Sequence, residues 1–110
     1  MATPRMTLPT QHVLRVLLAD ASDEHYGLQI GQAAGLPSGT VHPILARLEH
    51  VGWVTSRWED VDPRSEGRPA RRYYRLTSEG AELARDALAR AHRPKRSIPR
   101  GSPIPAPGQS

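Results

Sequence analysis

Cysteine is absent from this sequence, which excludes a disulfide framework and any zinc site built on thiolates. The histidines show no spacing typical of metal ligands either, so we expect neither a metal nor another cofactor. No apolar run approaches the roughly 20 residues that a membrane-spanning helix needs. The N-terminus also lacks the apolar core of a signal peptide, which favours a cytoplasmic protein with no membrane partner.

Groups that would support catalysis are equally scarce. The sequence shows no paired carboxylates in a protected setting, no convincing order of Ser, His and Asp, and no glycine-rich loop that could hold a phosphate. We therefore expect a protein that is not an enzyme.

Lysine is nearly absent as well, since Lys95 is the only lysine among the 15 basic residues. Four of the basic residues lie after residue 92, where no acidic residue occurs. Without those four, 11 basic residues stand against 11 acidic ones, although the whole chain has a formal charge of +4. This charge permits nucleic-acid binding, but a binding face would have to come from local segregation of charge.

The length suits one small domain. We expect residues 1–9 to be a flexible arm, residues 10–92 to form the domain, and residues 93–110 to be a disordered, basic, proline-rich tail. A first helix is predicted over residues 10–20, with Thr10 as its N-cap. After a polar connection over residues 21–25, a second short helix should begin at Tyr26 or Gly27 and end at Ala34, before Gly35.

A third helix is predicted within residues 37–53. Its start is expected near Ser38, a candidate cap, and its end at Gly52. One side carries apolar residues at helical spacing, namely Val41, Ile44, Leu45, Leu48 and Val51. Pro43 lies close enough to the start that its missing N–H costs at most one hydrogen bond.

Residues 53–59 and 71–77 have the β-branched and aromatic content of strands, and a polar loop over residues 60–70 joins them. Tyr74 and Leu76 should face the core, and we expect both Trp53 and Trp58 to serve core and strand packing, with an exposed Trp58 as the alternative. Thr77 or Ser78 then caps a last helix. Its apolar stripe would pack on a second copy or only on its own domain, and we favour dimerisation through Leu83, Ala84, Ala87, Leu88 and Ala91.

The resulting fold class is mainly α with a two-stranded β-wing, that is, a winged helix-turn-helix plus a C-terminal dimerisation helix. The segments YGLQI, LPSGTVHPILARLE and GRPARRYYRLT also resemble PadR-type transcriptional regulators. The resemblance implies a homodimeric, usually repressing protein that binds double-stranded DNA at a pseudo-palindromic operator, and so a nucleoid-associated one. With a single terminal helix, the chain resembles the short subtype of that family. This helix has no Trp to hold the flat ligands that some short members bind, so a small-molecule effector stays unidentified.

In a winged helix the second helix of the motif enters the major groove. The candidate contacts on it are Ser38, Thr40, His42 and Arg47. Ser38 and Thr40 could instead have only structural roles, and His42 stands where the family commonly has Tyr. On the wing we expect contacts from Arg64, Arg68, Arg71 and Arg72, with intramolecular pairing to Glu59, Asp60, Asp62 and Glu66 as the alternative. The rival function is a module that binds protein or RNA.

Overall fold

The computed structural model describes residues 3–92, and the predicted tail lies outside them. The architecture is mainly helical with a small antiparallel sheet, as predicted. None of the helices in this part of the chain has the length and apolar character to cross a membrane. In order, the elements are α1 (Leu8–Ala19), β1 (His25–Tyr26), α2 (Gly27–Ala34), α3 (Ser38–His50), β2 (Val54–Trp58), α4 (Pro63–Glu66), β3 (Arg72–Leu76) and α5 (Ser78–Ala91).

Helix α1 begins earlier than predicted. Its N-cap is Thr7, whose side-chain oxygen accepts a hydrogen bond of 3.3 Å from the backbone N–H of Thr10. The prediction of Thr10 as the cap is therefore wrong, and Thr10 is instead buried inside the helix. Leu8 is exposed, so the first turn adds nothing to the apolar periodicity from which the start was predicted. Pro4, in the segment expected to be a flexible arm, is also buried.

Helix α3 has the predicted apolar face and the predicted stop. Its buried residues are Val41, Ile44, Leu45 and Leu48. Gly52 has φ +84°, a left-handed conformation that favours glycine, and the next N–H, from Trp53, donates to the Leu48 carbonyl over 2.9 Å. The N-cap is Pro37 rather than Ser38, which is already helical. Pro43 lies inside the helix, so the carbonyl of exposed Gly39 loses its helical hydrogen-bond donor.

The core lies between α1, α2, α3, the inner face of the sheet and α5. It contains Leu14, Leu17, Ile30, Leu45 and Trp53, and each such side chain contributes about 1.5–3 kcal/mol when fully buried. Helix α5 closes this core with its alanines. Ala84 and Ala87 are buried within the chain itself, which corrects their assignment as contacts to a second copy.

The sheet has three strands in the order β1–β3–β2: β2 and β3 are the two predicted strands of the wing, and β1 is an additional strand that was not predicted. In β1, His25 lies opposite Tyr74 and Tyr26 lies opposite Tyr73, and both pairs are antiparallel. Strand β1 was not predicted because two residues are too short to show an alternating pattern. The predicted inner face is confirmed, since Tyr74 and Leu76 are both buried.

The connection between β2 and β3 is more ordered than the predicted loop. It contains the short helix α4, which Asp62 caps by accepting a hydrogen bond of 3.0 Å from the Arg64 backbone N–H. The two tryptophans differ in their environments. Trp53 is buried in the core as predicted, whereas Trp58 at the end of β2 is 62% exposed, which was the alternative for this residue.

The start of α5 packs very closely against the turn that follows α3. The Thr77 side chain caps α5 by accepting from the Gly80 N–H at 2.8 Å, and it donates to the Gly52 carbonyl at 3.0 Å. A Cβ on Gly80 would overlap the backbone carbonyl of Trp53. Only glycine therefore allows α5 to approach this turn so closely.

We expect Gly80→Ala to lower the free energy of unfolding by about 1–3 kcal/mol, because the added methyl group meets backbone that cannot turn aside. Urea denaturation measures the change. Gly39→Ala is the matched control: Gly39 is also helical but has open space around it, so alanine should stabilise by up to about 1 kcal/mol. Equal stabilities of the two variants would contradict the close packing.

Candidate nucleic-acid interface

The exposed face of α3 carries the four residues predicted to contact DNA. Ser38, His42 and Arg47 are exposed and Thr40 is half-buried. Ser38 is the first residue of the helix and its side chain makes no capping hydrogen bond, so the structure does not support the capping alternative. Hydroxyl, imidazole and guanidinium groups along one helix face offer hydrogen-bond donors and acceptors for base edges and phosphates.

His42 is positioned by α2. A Cβ built on Gly27 would lie 2.8 Å from the Cε1 atom of His42, so the imidazole lies directly on the backbone at the start of α2. The ring therefore has a backbone support on one side while the residue as a whole remains exposed. A side chain at position 27 would displace it.

One carboxylate on α3, that of Glu49, links the helix to both strands of the wing. Its Oε2 accepts a hydrogen bond of 2.6 Å from the Ser56 hydroxyl on β2. Its Oε1 lies 3.3 Å from Nη2 of Arg72 on β3. Arg72 also donates from Nε to the Ser56 oxygen over 3.0 Å, which closes a triangle of hydrogen bonds. We name Glu49, Ser56 and Arg72 the helix–wing triangle.

Arg68 on the wing is held by the wing itself. Its guanidinium donates to both carboxylate oxygens of Glu59, at 2.7 Å and 3.1 Å, and lies 3.8 Å from Glu66. The hydrogen bonds from Arg68 lower the pKa of Glu59 from 4.5 to about 2, with a further contribution from the Arg71 backbone N–H. The structure thus shows the intramolecular pairing that was the alternative for Arg68.

The other face of the sheet alternates aromatic rings with cations. Tyr26 and Tyr73 make an edge-to-face contact with ring centroids 5.8 Å apart. The Arg71 guanidinium lies 4.2 Å from the centroid of Tyr26, and that of Arg57 lies 5.2 Å from the centroid of Tyr73. Arg57 also forms a two-pronged ion pair with Glu24, and its hydrogen bonds lower the pKa of that carboxyl.

These pairings separate the arginines into two groups. Arg57, Arg68 and Arg72 each have a carboxylate within 4 Å. Within residues 3–92 the ion pairs do not involve the remaining arginines of α3 and the wing, which are Arg47, Arg64, Arg71 and Arg75. Of the predicted contacts, Arg47, Arg64 and Arg71 therefore keep their positive charge uncompensated at short range.

Sequence reasoning missed several participants in this surface. Glu49 lies outside both the predicted apolar face of α3 and its predicted DNA contacts, and Glu24 lies in the predicted polar connection. Only the fold brings Glu24 to Arg57, 33 positions away. One signal was available: Trp58 alternates with Ser56 and Val54, which predicts that all three share the inner face, although only the fold shows that the core ends before Trp58.

Comparison with known proteins agrees with this fold. The sequence profile of the transcriptional regulator PadR-like family matches residues 13–86. Among solved structures, the PcaV transcriptional regulator from Streptomyces coelicolor with its natural ligand is 26% identical, with a TM-score of 0.62 over 83% of this chain and 59% of that one. MepR from S. aureus, in a complex with DNA, shares the fold at 24% identity, with a TM-score of 0.59 over 76% of this chain and 62% of that one.

A third similar structure is NadR in complex with 4-hydroxyphenylacetate, with 23% identity and a TM-score of 0.59 over 76% of this chain. The chain thus spans between 53% and 62% of the length of these three proteins. Comparison with curated protein sequences gives no match.

The lowered pKa of Glu59 predicts a pH-dependent contribution to stability. A folded-state pKa of about 2, below the ordinary 4.5, means that the contribution is complete above pH 4.5 and declines as the pH falls toward 2. We expect Glu59→Gln to be less stable than the parent at pH 6, with the difference narrowing below pH 4.5. Thermal unfolding across this range measures it.

Asp60→Asn is the control for that measurement, because Asp60 is exposed and takes no part in the ion pairs of residues 3–92. A difference for Glu59→Gln that stays constant from pH 6 to pH 3 would contradict the pairing with Arg68.

Proposed function

The chain belongs to the PadR-like family of transcriptional regulators, and from this premise we propose that it is a homodimeric repressor that binds a pseudo-palindromic DNA operator. The observation that carries the proposal is the helix–wing triangle, which joins the exposed face of α3 to a wing carrying uncompensated arginines. MepR, which has the same fold, has been solved in complex with DNA. We further propose that the protein acts in the cytoplasm on the nucleoid, without catalytic activity.

In the proposed complex, α3 lies in the major groove. Ser38, Thr40 and His42, near its N-terminal end, contact base edges, and Arg47 binds a phosphate. Arg64 and Arg71 on the wing supply charge to the neighbouring minor groove, where a narrow groove strengthens the negative potential. Arg68 then acts mainly on the shape of the wing, because its guanidinium already binds both carboxylate oxygens of Glu59.

Helix α5 supplies the proposed dimer contacts. Leu83 and Leu88 are half-buried and Ala91 is exposed, so these three keep apolar surface outside their own domain. Two domains related by a two-fold axis would present two copies of α3 to half-sites about one DNA turn apart. PcaV was solved with its natural ligand, which supports a small molecule as the signal that regulates binding.

Removing an uncompensated arginine should weaken operator binding. We expect Arg47→Ala and Arg64→Ala each to lower affinity by about tenfold and to reduce the slope of log K against log salt by about one, as loss of one phosphate contact requires. Fluorescence anisotropy with a site selected from random DNA, titrated at several salt concentrations, measures both quantities.

Arg68→Ala is the matched control on the wing. Because Glu59 holds the Arg68 guanidinium within the protein, we expect Arg68→Ala to leave the salt slope nearly unchanged. Binding of RNA or a protein with no preference among DNA sites would instead favour the rival interaction module.

The dimer is tested separately by light scattering. We expect a mass of two chains at micromolar concentration, and one chain for Leu88→Lys, because a charge in an apolar contact costs several kcal/mol. Glu82→Lys, an exposed substitution on the same helix, should leave the dimer intact. A monomeric parent protein would contradict the proposal.

A further inference from the structure

Trp58 occupies an unusual position for a large apolar side chain. It is 62% exposed, although an indole ring of this size is normally buried in a core or an interface. In the β2–β3 register it lies opposite Arg72, on the same face of the sheet as the buried residues Tyr74 and Leu76. The Arg72 guanidinium lies 5.5 Å from the centroid of the indole ring. Trp58 thus continues the inner face of the wing beyond the core.

A groove runs between this inner face and the helices. Its volume is about 250 Å³, and Leu28, which is 59% exposed, adds a second apolar group to its wall. No acidic residue lines it, whereas two arginines and a histidine do. The lining consists of Tyr26, Gly27, Leu28, His42, Trp58, Ala70, Arg71, Arg72 and Tyr74.

The position of the groove identifies the chemistry of its occupant. A protein that places α3 in the major groove and its wing in the adjacent minor groove must straddle the sugar–phosphate strand that separates them. This groove lies between those two parts of the protein, with His42 of α3 on one side and Trp58 of the wing on the other. Cationic groups beside an apolar wall suit a phosphate next to a deoxyribose.

Arg72 is prepared for such a contact. Its Nε and Nη2 atoms are hydrogen-bonded to Ser56 and Glu49, which fixes the plane of the guanidinium. Its Nη1 atom makes no hydrogen bond within residues 3–92, so its donors remain for a phosphate oxygen. The indole of Trp58 adds an apolar surface for the sugar and one N–H donor.

We propose that Trp58 is a DNA-contact residue, whose indole packs on a deoxyribose of the strand lying in this groove while Arg72 binds the adjacent phosphate. This inference rests on the proposed function and adds a residue that contacts the sugar–phosphate backbone of the DNA. The indole can pack on a deoxyribose only when the DNA strand lies at contact distance from the wing. The affinity for DNA should therefore depend on the width of the DNA groove.

Substitution at position 58 tests the contact. We expect Trp58→Ala to lower affinity for the selected operator by about tenfold and Trp58→Phe by about threefold, since Phe keeps an apolar wall but loses the N–H. The matched control is Thr55→Ala, an exposed residue on the opposite face of the same strand, which should bind like the parent. Melting temperatures establish that all three variants are folded.

Acrylamide quenching reports the same contact without a mutation, because Trp53 and Trp58 are the two tryptophans of the chain. Trp53 is 2% exposed and should resist the quencher, so the accessible emission belongs to Trp58. We expect a saturating operator duplex to remove this accessible fraction. Trp58→Phe is the control, because its emission comes from buried Trp53 alone and should resist the quencher with or without DNA.

The outcomes separate the two proposals. A parent protein that binds no duplex with sequence preference overturns the proposed function. A parent that binds while Trp58→Ala retains full affinity overturns only the role of Trp58. Protection of Trp58 that rises with protein concentration in the absence of DNA assigns the indole to a contact between protein chains and likewise overturns this inference.

Discussion

The carboxylate of Glu49 is the constraint on which the arrangement of the binding surface depends. It projects from α3 and accepts hydrogen bonds from Ser56 on β2 and Arg72 on β3, so one side chain joins the helix to both strands. A bound carboxylate of this kind is directional as well as charged. The angle between helix and wing is therefore set inside the protein before any DNA is present, which avoids an ordering cost on binding.

Charge pairing on the wing serves geometry more than stability. Surface ion pairs such as that of Arg57 with Glu24 contribute little to stability, because solvent screens exposed charges. What they do is orient strands and loops: Glu59, for example, binds both the Arg68 guanidinium and the Arg71 backbone N–H. The net charge of the domain is near zero, but its arginines are of two kinds: those that shape the wing and those whose charge faces solvent.

Much of the fold could be predicted from sequence, because apolar periodicity and capping chemistry act over a few residues. The α3 face, the Gly52 stop, the Thr77 cap and the inward position of Tyr74 all follow from such local signals. Contacts between residues that are far apart in the sequence could not be predicted in this way. The Arg68 pairing with Glu59 was considered only as an alternative, and β1 left no local pattern.

The burial of Ala84 and Ala87 illustrates a further limit. A stripe of small apolar residues on a helix fits either its own core or a second chain, and the pattern is the same in both cases. Whether the chain's own core or a second chain covers this stripe depends on how closely the helix approaches that core. Here Gly80 allows α5 to come against the Trp53 carbonyl, so the alanines reach the chain's own core.

Strand β1 has a consequence for the order in which the molecule forms. The β2–β3 hairpin closes a short segment of chain, but β1 pairs residues Tyr26 and Tyr73, which are far apart in sequence. Closing so long a loop is entropically costly until the helices between have packed. The wing therefore reaches its final conformation together with the helical core, and local opening of the core must loosen it. A two-residue strand thus makes the wing part of one cooperative folding unit.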